Sequence, residues 1–441
     1  MSSLRRKGKD GTDGQMQAIS AAFSTILIIY SHHIFSTQRQ STPAAQLQAL
    51  PQQQKTTSST MESDEEMWAL PYYHGLLPRE EIEDLLTRDG DFLVRKSEEN
   101  PGERVFVLSV NASGQVSHVI FRHQRGMLAV DFNNERGYRT IRRFVEAHLK
   151  AGDTINSEGF VVLRHGVGRK SWELAHSTIT RSESELGRGA FGVVRRGKFT
   201  DPKTKRTVHV AIKEVSQTCT KEQVKEFMNE ARIMRQLDHK NVIKFYGVAA
   251  GQEPLMIVME VATEGNLTDY LKTKRRGARS KLFMCLGAAA GLDHIHQKGI
   301  IHCSVAARNC LYSDSIVKIA DFGFAHKGAR KTMEVSRPVP IRWLAPETIS
   351  DHYFTPKSDT WSFGVLCWEI FNDGAVPFRG IESPVVGEMV LAGERLQFPV
   401  DAPPVFIDFI VENVWNDNHS LRHSMGAVFD WLDRRVNHMN E

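Results

Sequence analysis

The stretch "LGRGAFGVVRRG", residues 186–197, together with the "HVAIKEV" that follows at residues 209–215, decides the fold. A G-x-G-x-x-G pattern is weak by itself, because many glycine turns share it and dinucleotide-binding folds also use it. Here it precedes a strand that carries Lys213 and then a helical run, "KEQVKEFMNEARIMRQL", at residues 221–237. Apolar residues recur in that run at steps of three and four, which leaves Glu230 able to reach the lysine of the strand. Dinucleotide-binding folds lack this sequel, so that interpretation is excluded.

Further motifs follow downstream in order. They are Asn309, "DFG" at Asp321–Gly323, "APE" at Ala345–Glu347, "SDTWSFGVLCWE" at residues 358–369, and Arg422. Over about 250 residues this set resembles the protein-kinase family. The resemblance implies a bilobal fold that binds ATP and Mg²⁺. It also implies a buried structural ion pair between Glu347 and Arg422.

The resemblance assigns nucleotide-binding roles to individual residues. Glycines let backbone N–H groups approach the phosphates, and Lys213, held by Glu230, would neutralise phosphate charge. Asn309 and Asp321 would supply oxygen ligands for Mg²⁺, which is a hard cation. The implied ATP-binding set is Leu186, Gly187, Gly189, Gly192, Val194, Ala211, Lys213, Met259, Glu260 and Leu311, with Met259 as the gatekeeper and Glu260 opening the hinge.

The catalytic loop, "IIHCSVAARNCLY" at residues 300–312, departs from the family pattern. Ser304 stands where the family has its catalytic aspartate, and Cys303 stands where it usually has an arginine. That arginine normally meets a phosphorylated activation loop, and the segment 321–347 contains no tyrosine. The "AARN" of this loop and "VPIRWLAPE" further on resemble tyrosine kinases, in which Arg308 would carry a charge near the transferred phosphate.

With Ser304 at the position of the catalytic aspartate, four functional hypotheses are open. A serine hydroxyl does not usefully keep a proton at neutral pH, and general-base help is worth about 10²–10⁴ in rate. We therefore expect a protein that binds Mg-ATP and transfers phosphate poorly. An active tyrosine kinase remains an alternative, because positioning and electrostatics dominate phosphoryl transfer. A pure adaptor without nucleotide binding is the third, and a redox role for Cys303 is a remote fourth because no feature of the sequence lowers its thiol pKa.

A second set of motifs precedes the kinase-like region. The segment "WALPYYHGLLPREEIEDLL" spans residues 68–86, "DFLVRKSE" spans 91–98 and "VSHVIF" spans 116–121. An arginine within an apolar strand is expensive to bury unless an anion meets it. Together the three segments resemble the Src-homology-2 (SH2) family. The resemblance implies a phosphotyrosine pocket formed by Arg79, Arg95, Ser97 and His118, with Ile120 where the family often has a lysine.

The order of the two regions predicts a multidomain α+β fold. An SH2 domain, with an antiparallel sheet flanked by two helices, is followed by a bilobal protein-kinase fold. The predicted divisions are a tail at residues 1–66, the SH2 domain at 67–165, a linker at 166–178 and the kinase-like domain at 179–437. This order, the "SWEL" of the linker and "LGRGAFG" look most like the Fes/Fer branch of non-receptor tyrosine kinases.

The composition and the N-terminal tail bear on location. The net charge of +4 is spread over residues of both signs and gives no argument for nucleic acid as a partner. Five cysteines without metal-type spacing suit reduced thiols in the cytoplasm. The apolar run Ala18–Tyr30 is short of the roughly 20 residues that span a bilayer. We expect a disordered tail with at most weak membrane-surface contact, phosphotyrosine-containing proteins as partners, and Met61 as an alternative start.

Overall fold

The computed structural model describes residues 62–100, 102–130, 137–155, 161–189, 192–215, 220–334 and 339–437. The expected tail at residues 1–66 lies almost entirely outside these ranges, so its disorder and its membrane contact stay predictions. Within the described ranges, no helix is both long enough and apolar enough to cross a membrane.

The N-terminal unit is built around a four-stranded sheet. Its elements are α1 (Asp64–Trp68), α2 (Arg79–Glu83), β1 (Asp91–Asn100), β2 (Glu103–Ala112), β3 (Gln115–Ile120), β4 (Arg122–Gln124), β5 (Met127–Ala129), α3 (Ile141–Ala151) and β6 (His165–Gly166). The strand order is β3-β2-β1-β6, with antiparallel pairing except for the short parallel contact of β6 with β1. Buried Phe144 of α3 packs in one apolar cluster with Phe92 and Val94 of β1.

The small lobe of the C-terminal unit is a five-stranded sheet with one long helix. Its elements are β7 (Ile179–Gly189), β8 (Gly192–Thr200), β9 (Thr207–Val215), α4 (Lys221–Met234), β10 (Phe245–Ala249) and β11 (Met256–Glu260). The strand order is β10-β11-β9-β8-β7. The side chain of Thr220 caps α4 and forms a capping box with Gln223, which fixes where the helix begins. The predicted apolar face of α4 is confirmed, since Val224, Phe227 and Met234 are buried.

The large lobe is mainly helical. Its elements are α5 (Leu267–Thr273), α6 (Ala278–Gln297), β12 (Ile300–Ile301), β13 (Cys310–Ser313), β14 (Ile316–Ile319), β15 (His326–Lys327), β16 (Lys331–Thr332), α7 (Pro346–Asp351), β17 (Tyr353–Phe354), α8 (Pro356–Phe371), α9 (Ser383–Leu391), α10 (Pro404–Phe409), a π-helical turn (Ile410–Val414) and α11 (Met425–Asn437). The apolar helix α8 lies at the centre of this lobe, with thirteen of its sixteen residues buried. The expected ion pair is present: Arg422 Nη1 lies 2.6 Å from Glu347 Oε1, and both residues are buried.

The two units are joined by ion pairs between α2 and α4. Glu81 of α2 is 2% exposed. Its carboxylate accepts hydrogen bonds from Arg232 Nε at 2.6 Å and from Arg235 Nη1 at 2.8 Å. At the start of the same helices, Lys225 Nζ lies 2.5 Å from Glu80 Oε1. Helix α4 is therefore held by charges from the N-terminal unit along most of its length.

Apolar packing and backbone bonds complete this contact. Leu76, Leu77 and Ile82 of the N-terminal unit belong to the same buried apolar cluster as α4 and the large lobe. The backbone N–H of Leu76 donates to the carbonyl of Ala250 at 2.9 Å. Gly75 makes this approach possible: its φ is +64°, and a Cβ there would lie 2.0 Å from the Ala250 carbonyl oxygen.

The linker is bound to the small lobe. Leu174 donates its backbone N–H to Val248 and Val248 donates to Trp172, each at 2.8 Å. The guanidinium of Arg235 lies 4.9 Å from the centre of the Trp172 ring. Glu173 turns back toward the N-terminal unit, with its carboxylate 2.8 Å from His74 Nδ1. The linker therefore fastens the two units together.

Candidate functional site

A cleft of about 580 Å³ lies between the two lobes. Nine of the ten residues of the predicted ATP-binding set line it: Leu186, Gly187, Gly192, Val194, Ala211, Lys213, Met259, Glu260 and Leu311. The tenth, Gly189, ends β7 and pairs with Gly192 of β8. The structure thus brings together the end of β7, the start of β8, β9, β11 and the strand after the catalytic loop.

The charged end of the cleft is organised around Lys213. Its ammonium lies 2.8 and 2.7 Å from the two carboxylate oxygens of Glu230. Burial disfavours the ammonium, but Glu230 and Asp321 outweigh that effect and hold the pKa of Lys213 above its usual value. Phe322, next to Asp321, is fully buried and its ring centre lies 5.2 Å from that of His302. The cleft therefore keeps a fixed positive charge beside an exposed carboxylate.

The donor set at this end fits a nucleotide-bound Mg²⁺. Asn309 and Asp321 both line the cleft, and Asp321 is exposed with φ +61°. In the described part of the chain, no group of three or more His, Cys, Asp or Glu residues could hold a metal by itself. Mg²⁺ commonly takes one or two protein ligands and completes its shell with phosphate oxygens and water. Asn309 and Asp321 would suffice only with a nucleotide present.

Ser304 is not part of the cleft lining, although Arg308 and Asn309 of the same described loop are. It is 7% exposed, and its Oγ lies 3.2 Å from His302 Nδ1. The other ring nitrogen of His302 lies 3.0 Å from the Ala320 carbonyl, which can only accept, so that nitrogen carries the proton. Burial lowers the pKa of His302, so the ring is neutral and Nδ1 is an acceptor. The backbone N–H of Ser304 also donates to this Nδ1 at 3.3 Å, so the Ser304 hydroxyl donates to an acceptor that it shares with its own backbone.

The loop around Ser304 is held by two acidic residues of α8 that the sequence interpretation did not single out. Asp359 accepts from the backbone N–H of His302 at 2.7 Å and from that of Cys303 at 2.9 Å. Glu369 accepts from the backbone N–H of Ala307 at 2.9 Å. Buried carboxylates in an apolar helix such as "SDTWSFGVLCWE" are the signal that could have revealed them, because buried charges need partners.

Glu369 also stands beside Arg308. Trp343 Nε1 donates to Glu369 Oε2 at 3.0 Å, and the Arg308 guanidinium lies 4.2 Å from the centre of the Trp343 ring. Burial raises the pKa of Glu369 to about 7. Both hydrogen bonds to this carboxyl reach Oε2, which leaves Oε1 to carry a proton.

Cys303 is a buried thiol in a left-handed backbone conformation, with φ +63°. Burial and the nearby Asp359 raise its pKa well above the usual value, so the reactive thiolate is disfavoured.

The described activation segment is held by pairing of β16 with β17 and by Arg330, whose guanidinium lies 3.7 Å from the centre of the Tyr353 ring. These contacts need no phosphate.

The second predicted site is a cleft of about 560 Å³ on the N-terminal unit, and it contains Arg79, Arg95, Ser97 and His118. Arg95 and Ser97 lie on one face of β1 because side chains alternate along a strand. Arg95 Nε donates to Ser109 Oγ at 3.3 Å, and that hydroxyl lies 2.9 Å from His118 Nδ1.

This second cleft takes the charge of Arg95 out of water, whereas Arg79 is exposed. Arg95 is 5% exposed, and burial together with Arg79 lowers its pKa to about 10. Burial, Arg95 and Arg79 lower the pKa of His118 to about 4. The guanidinium of Arg95 is desolvated and donates a hydrogen bond to a neutral hydroxyl. A doubly charged oxyanion would stabilise such a group, because it can accept two parallel N–H bonds.

Comparison with known protein families identifies the two domains that contain these clefts. Residues 180–432 match the family described as protein tyrosine and serine/threonine kinase, and residues 72–148 match the SH2 domain. The chain therefore belongs to the protein-kinase family and carries an SH2 domain ahead of its kinase domain.

Its relatives narrow this class. The chain is 34% identical over 378 residues to Fer-related kinase 1 of Caenorhabditis elegans, covering 85% of this chain and 96% of the relative. It is 33% identical over 363 residues to the transforming tyrosine-protein kinase Fps of avian sarcoma virus (strain PRCII), covering 81% and 66%. It is 34% identical over 338 residues to human tyrosine-protein kinase Fer, covering 75% of this chain but only 40% of Fer. Within the kinase family, this chain belongs to the Fes/Fer-like branch.

Proposed function

We propose that this protein is a cytoplasmic phosphotyrosine signalling protein. It binds phosphotyrosine peptides at Arg79, Arg95, Ser97 and His118, binds Mg-ATP between the lobes, and transfers phosphate to protein tyrosine poorly. The desolvated Arg95 supports the first part, because it lies in an open cleft with no carboxylate hydrogen-bonded to it among the described residues. The Lys213–Glu230 pair, with Asn309 and Asp321 nearby, supports the second part.

The orientation of Ser304 carries the third part of the proposal. In the kinase family, the residue at this position accepts the proton of the substrate hydroxyl. Here the side chain is uncharged, almost buried, and committed to His302 at 3.2 Å. Bound Mg-ATP would supply the phosphoryl group and its charge neutralisation. The serine side chain at position 304 would not act as a base, and that difference corresponds to a rate lower by about 10²–10⁴.

An active tyrosine kinase is the second candidate. The Lys213–Glu230 pair is formed, Phe322 is buried and the activation segment is anchored, so the rest of the catalytic apparatus is assembled. Slow turnover without a base is compatible with a loose transition state. A pure adaptor without nucleotide binding is less well supported, because it leaves the assembled cleft without a purpose.

Phosphotransfer to a generic tyrosine peptide separates these candidates. The purified chain, its Ser304→Asp variant and its Lys213→Met variant are compared at saturating Mg-ATP. We expect Ser304→Asp to raise the rate by about 10²–10⁴. Equal rates for the native chain and Ser304→Asp, both abolished by Lys213→Met, would instead establish the active kinase. Mg-ATP that fails to raise the melting temperature of the native chain would favour the pure adaptor.

Phosphotyrosine binding is tested independently of turnover. A fluorescent phosphotyrosine peptide is titrated with the native chain and with Arg95→Ala, and the unphosphorylated peptide serves as the control. We expect the variant to lose binding while Mg-ATP still raises its melting temperature. Unchanged affinity of Arg95→Ala for the phosphopeptide would refute the proposed pocket.

A further inference from the structure

The phosphotyrosine cleft extends beyond the SH2 domain. Lys221, Glu222, Val224 and Lys225 of the kinase helix α4 line the same cavity as Arg95. Helix α4 reaches this position because Glu80 and Glu81 hold it against α2. A peptide bound in the cleft would therefore contact both domains.

The charges in this cleft differ in whether they are already paired. Three of its four carboxylates have cationic partners: Glu80 with Lys225 at 2.5 Å, Glu98 with Arg104 at 3.6 Å, and Glu99 with Arg122 at 2.6 Å. The fourth, Glu222, follows Lys221 directly. Hydrogen bonds from its own backbone and from Thr220 lower the pKa of Glu222, and the charge of Lys221 adds a smaller effect, but consecutive residues of a helix do not face each other. Among the residues that the structure describes, no carboxylate lies within 4.0 Å of the Lys221 ammonium.

The SH2 domain itself has an apolar residue at one cleft position where its family often has a cation. Ile120 lines the cleft at a position where the sequence pattern of the family often has a lysine. That leaves the buried Arg95 and the exposed Arg79 to bind the phosphate. Lys221 is exposed and belongs to the part of the wall that the kinase domain contributes. A cation at such a place meets the residues beside the phosphotyrosine.

We infer that Lys221 of the kinase domain is a specificity-determining residue of the phosphotyrosine site and selects peptides with a carboxylate within three residues of the phosphotyrosine. The inference rests on the proposed phosphotyrosine binding and adds a determinant from outside the SH2 domain. An exposed ion pair of this kind is weak. A preference of about two- to fivefold for Glu over Gln at the contacted position is expected, and it declines as salt is added.

The test uses the full chain and a set of matched phosphopeptides. Each peptide has a central phosphotyrosine and either Glu or Gln at one of the three positions on either side, with affinity measured by fluorescence polarisation. The native chain should prefer Glu at one or more of these positions. Lys221→Met should remove that preference and keep phosphotyrosine binding, while Lys221→Arg should retain both. Lys298→Met, an exposed lysine of the large lobe, is the matched control and should behave as the native chain.

The outcomes separate this inference from the proposal on which it rests. If Lys221→Met keeps the native ratio of Glu to Gln affinities, or the native chain shows no such ratio, Lys221 is not a determinant. Phosphotyrosine binding would then still stand, because it depends on Arg95. If no phosphopeptide binds, or Arg95→Ala binds as well as the native chain, the proposed pocket is wrong and this inference is overturned with it.

Discussion

Replacement of Glu81 by Gln should uncouple the SH2 domain from the kinase domain. The carboxylate of Glu81 is 2% exposed and joins Arg232 at 2.6 Å and Arg235 at 2.8 Å. A glutamine of the same shape has no charge and has one acceptor oxygen in place of two. One guanidinium would then face an amide N–H₂ group. The change therefore removes charge pairing without opening a cavity.

The size of this effect follows from the burial of the three groups. Removing one partner of a fully buried ion pair costs about 3–5 kcal/mol. The side chains of Arg232 and Arg235 are 27% and 24% exposed, so water would recover part of their solvation in the variant. We therefore expect a loss of about 2–3 kcal/mol of contact energy, at the lower edge of the range for buried pairs. Because each 1.4 kcal/mol is a factor of ten, the docking equilibrium should fall by about 30- to 150-fold.

Differential scanning calorimetry of the full chain measures this change. The native domains share an apolar cluster and should unfold together, whereas Glu81→Gln should give two separated transitions. Glu83→Gln is the matched control, since it makes the same chemical change on the exposed side of the same helix. Arg235→Met combined with Glu81→Gln should cost less than the sum of the two single changes. A Glu81→Gln thermogram that overlays that of Glu83→Gln would refute the reasoning.

Three further outcomes are expected. Gly75→Ala should destabilise the contact between the domains, because its Cβ would lie 2.0 Å from the Ala250 carbonyl oxygen. Gly114→Ala is the control: Gly114 has φ +88° and no atom within 4 Å, so this variant should cost only the backbone strain. Equal melting temperatures for the two variants would contradict this expectation. The pKa of Glu369 is raised to about 7 by burial, so its contribution to stability is complete below about pH 4.5 and is lost as pH rises through 7. Between pH 5 and 8 the free energy of unfolding of the native chain should fall by up to about 3 kcal/mol more than that of Glu369→Gln. If the melting temperatures of the two proteins change in parallel over this range, the carboxyl is ionised throughout. The Cys303 thiol should resist iodoacetamide in the native protein and react after denaturation, as followed by peptide mass spectrometry. Labelling of Cys303 in the native protein would support the redox hypothesis.

Local patterns explain why much of the fold was predictable. The three- and four-residue spacing of Val224, Phe227 and Met234 defined α4, and the apolar run of "DFLVR" defined the buried part of β1. In both cases the element buries one face, and the positions of the apolar residues in the sequence indicate that face. The pairing of Lys213 with Glu230 was also predictable, because the apolar spacing of the helix left Glu230 able to reach the lysine of the strand.

The contacts between domains were not predictable in the same way. Glu80 and Glu81 lie in the first turn of α2, where acidic side chains are favourable, and their partners lie more than 140 residues away on α4. An acidic residue at a helix N-terminus has a sufficient local explanation, so the sequence gives no reason to seek a distant one. Trp172 was assigned to neither domain for a related reason, since its partner Arg235 belongs to a surface that forms only after both units have folded.

The loop around Ser304 is supported independently of the side chain at position 304. The backbone of His302 and Cys303 is fixed by Asp359, that of Ala307 by Glu369, and neither carboxylate depends on the side chain at position 304. The Asn309 side chain donates to the backbone carbonyl of Ser304 at 2.7 Å, again independently of that side chain. A serine at this position therefore removes charge without releasing the loop. A restored aspartate would enter a backbone that is already positioned, so its effect should appear in the rate of phosphotransfer with little change in the melting temperature.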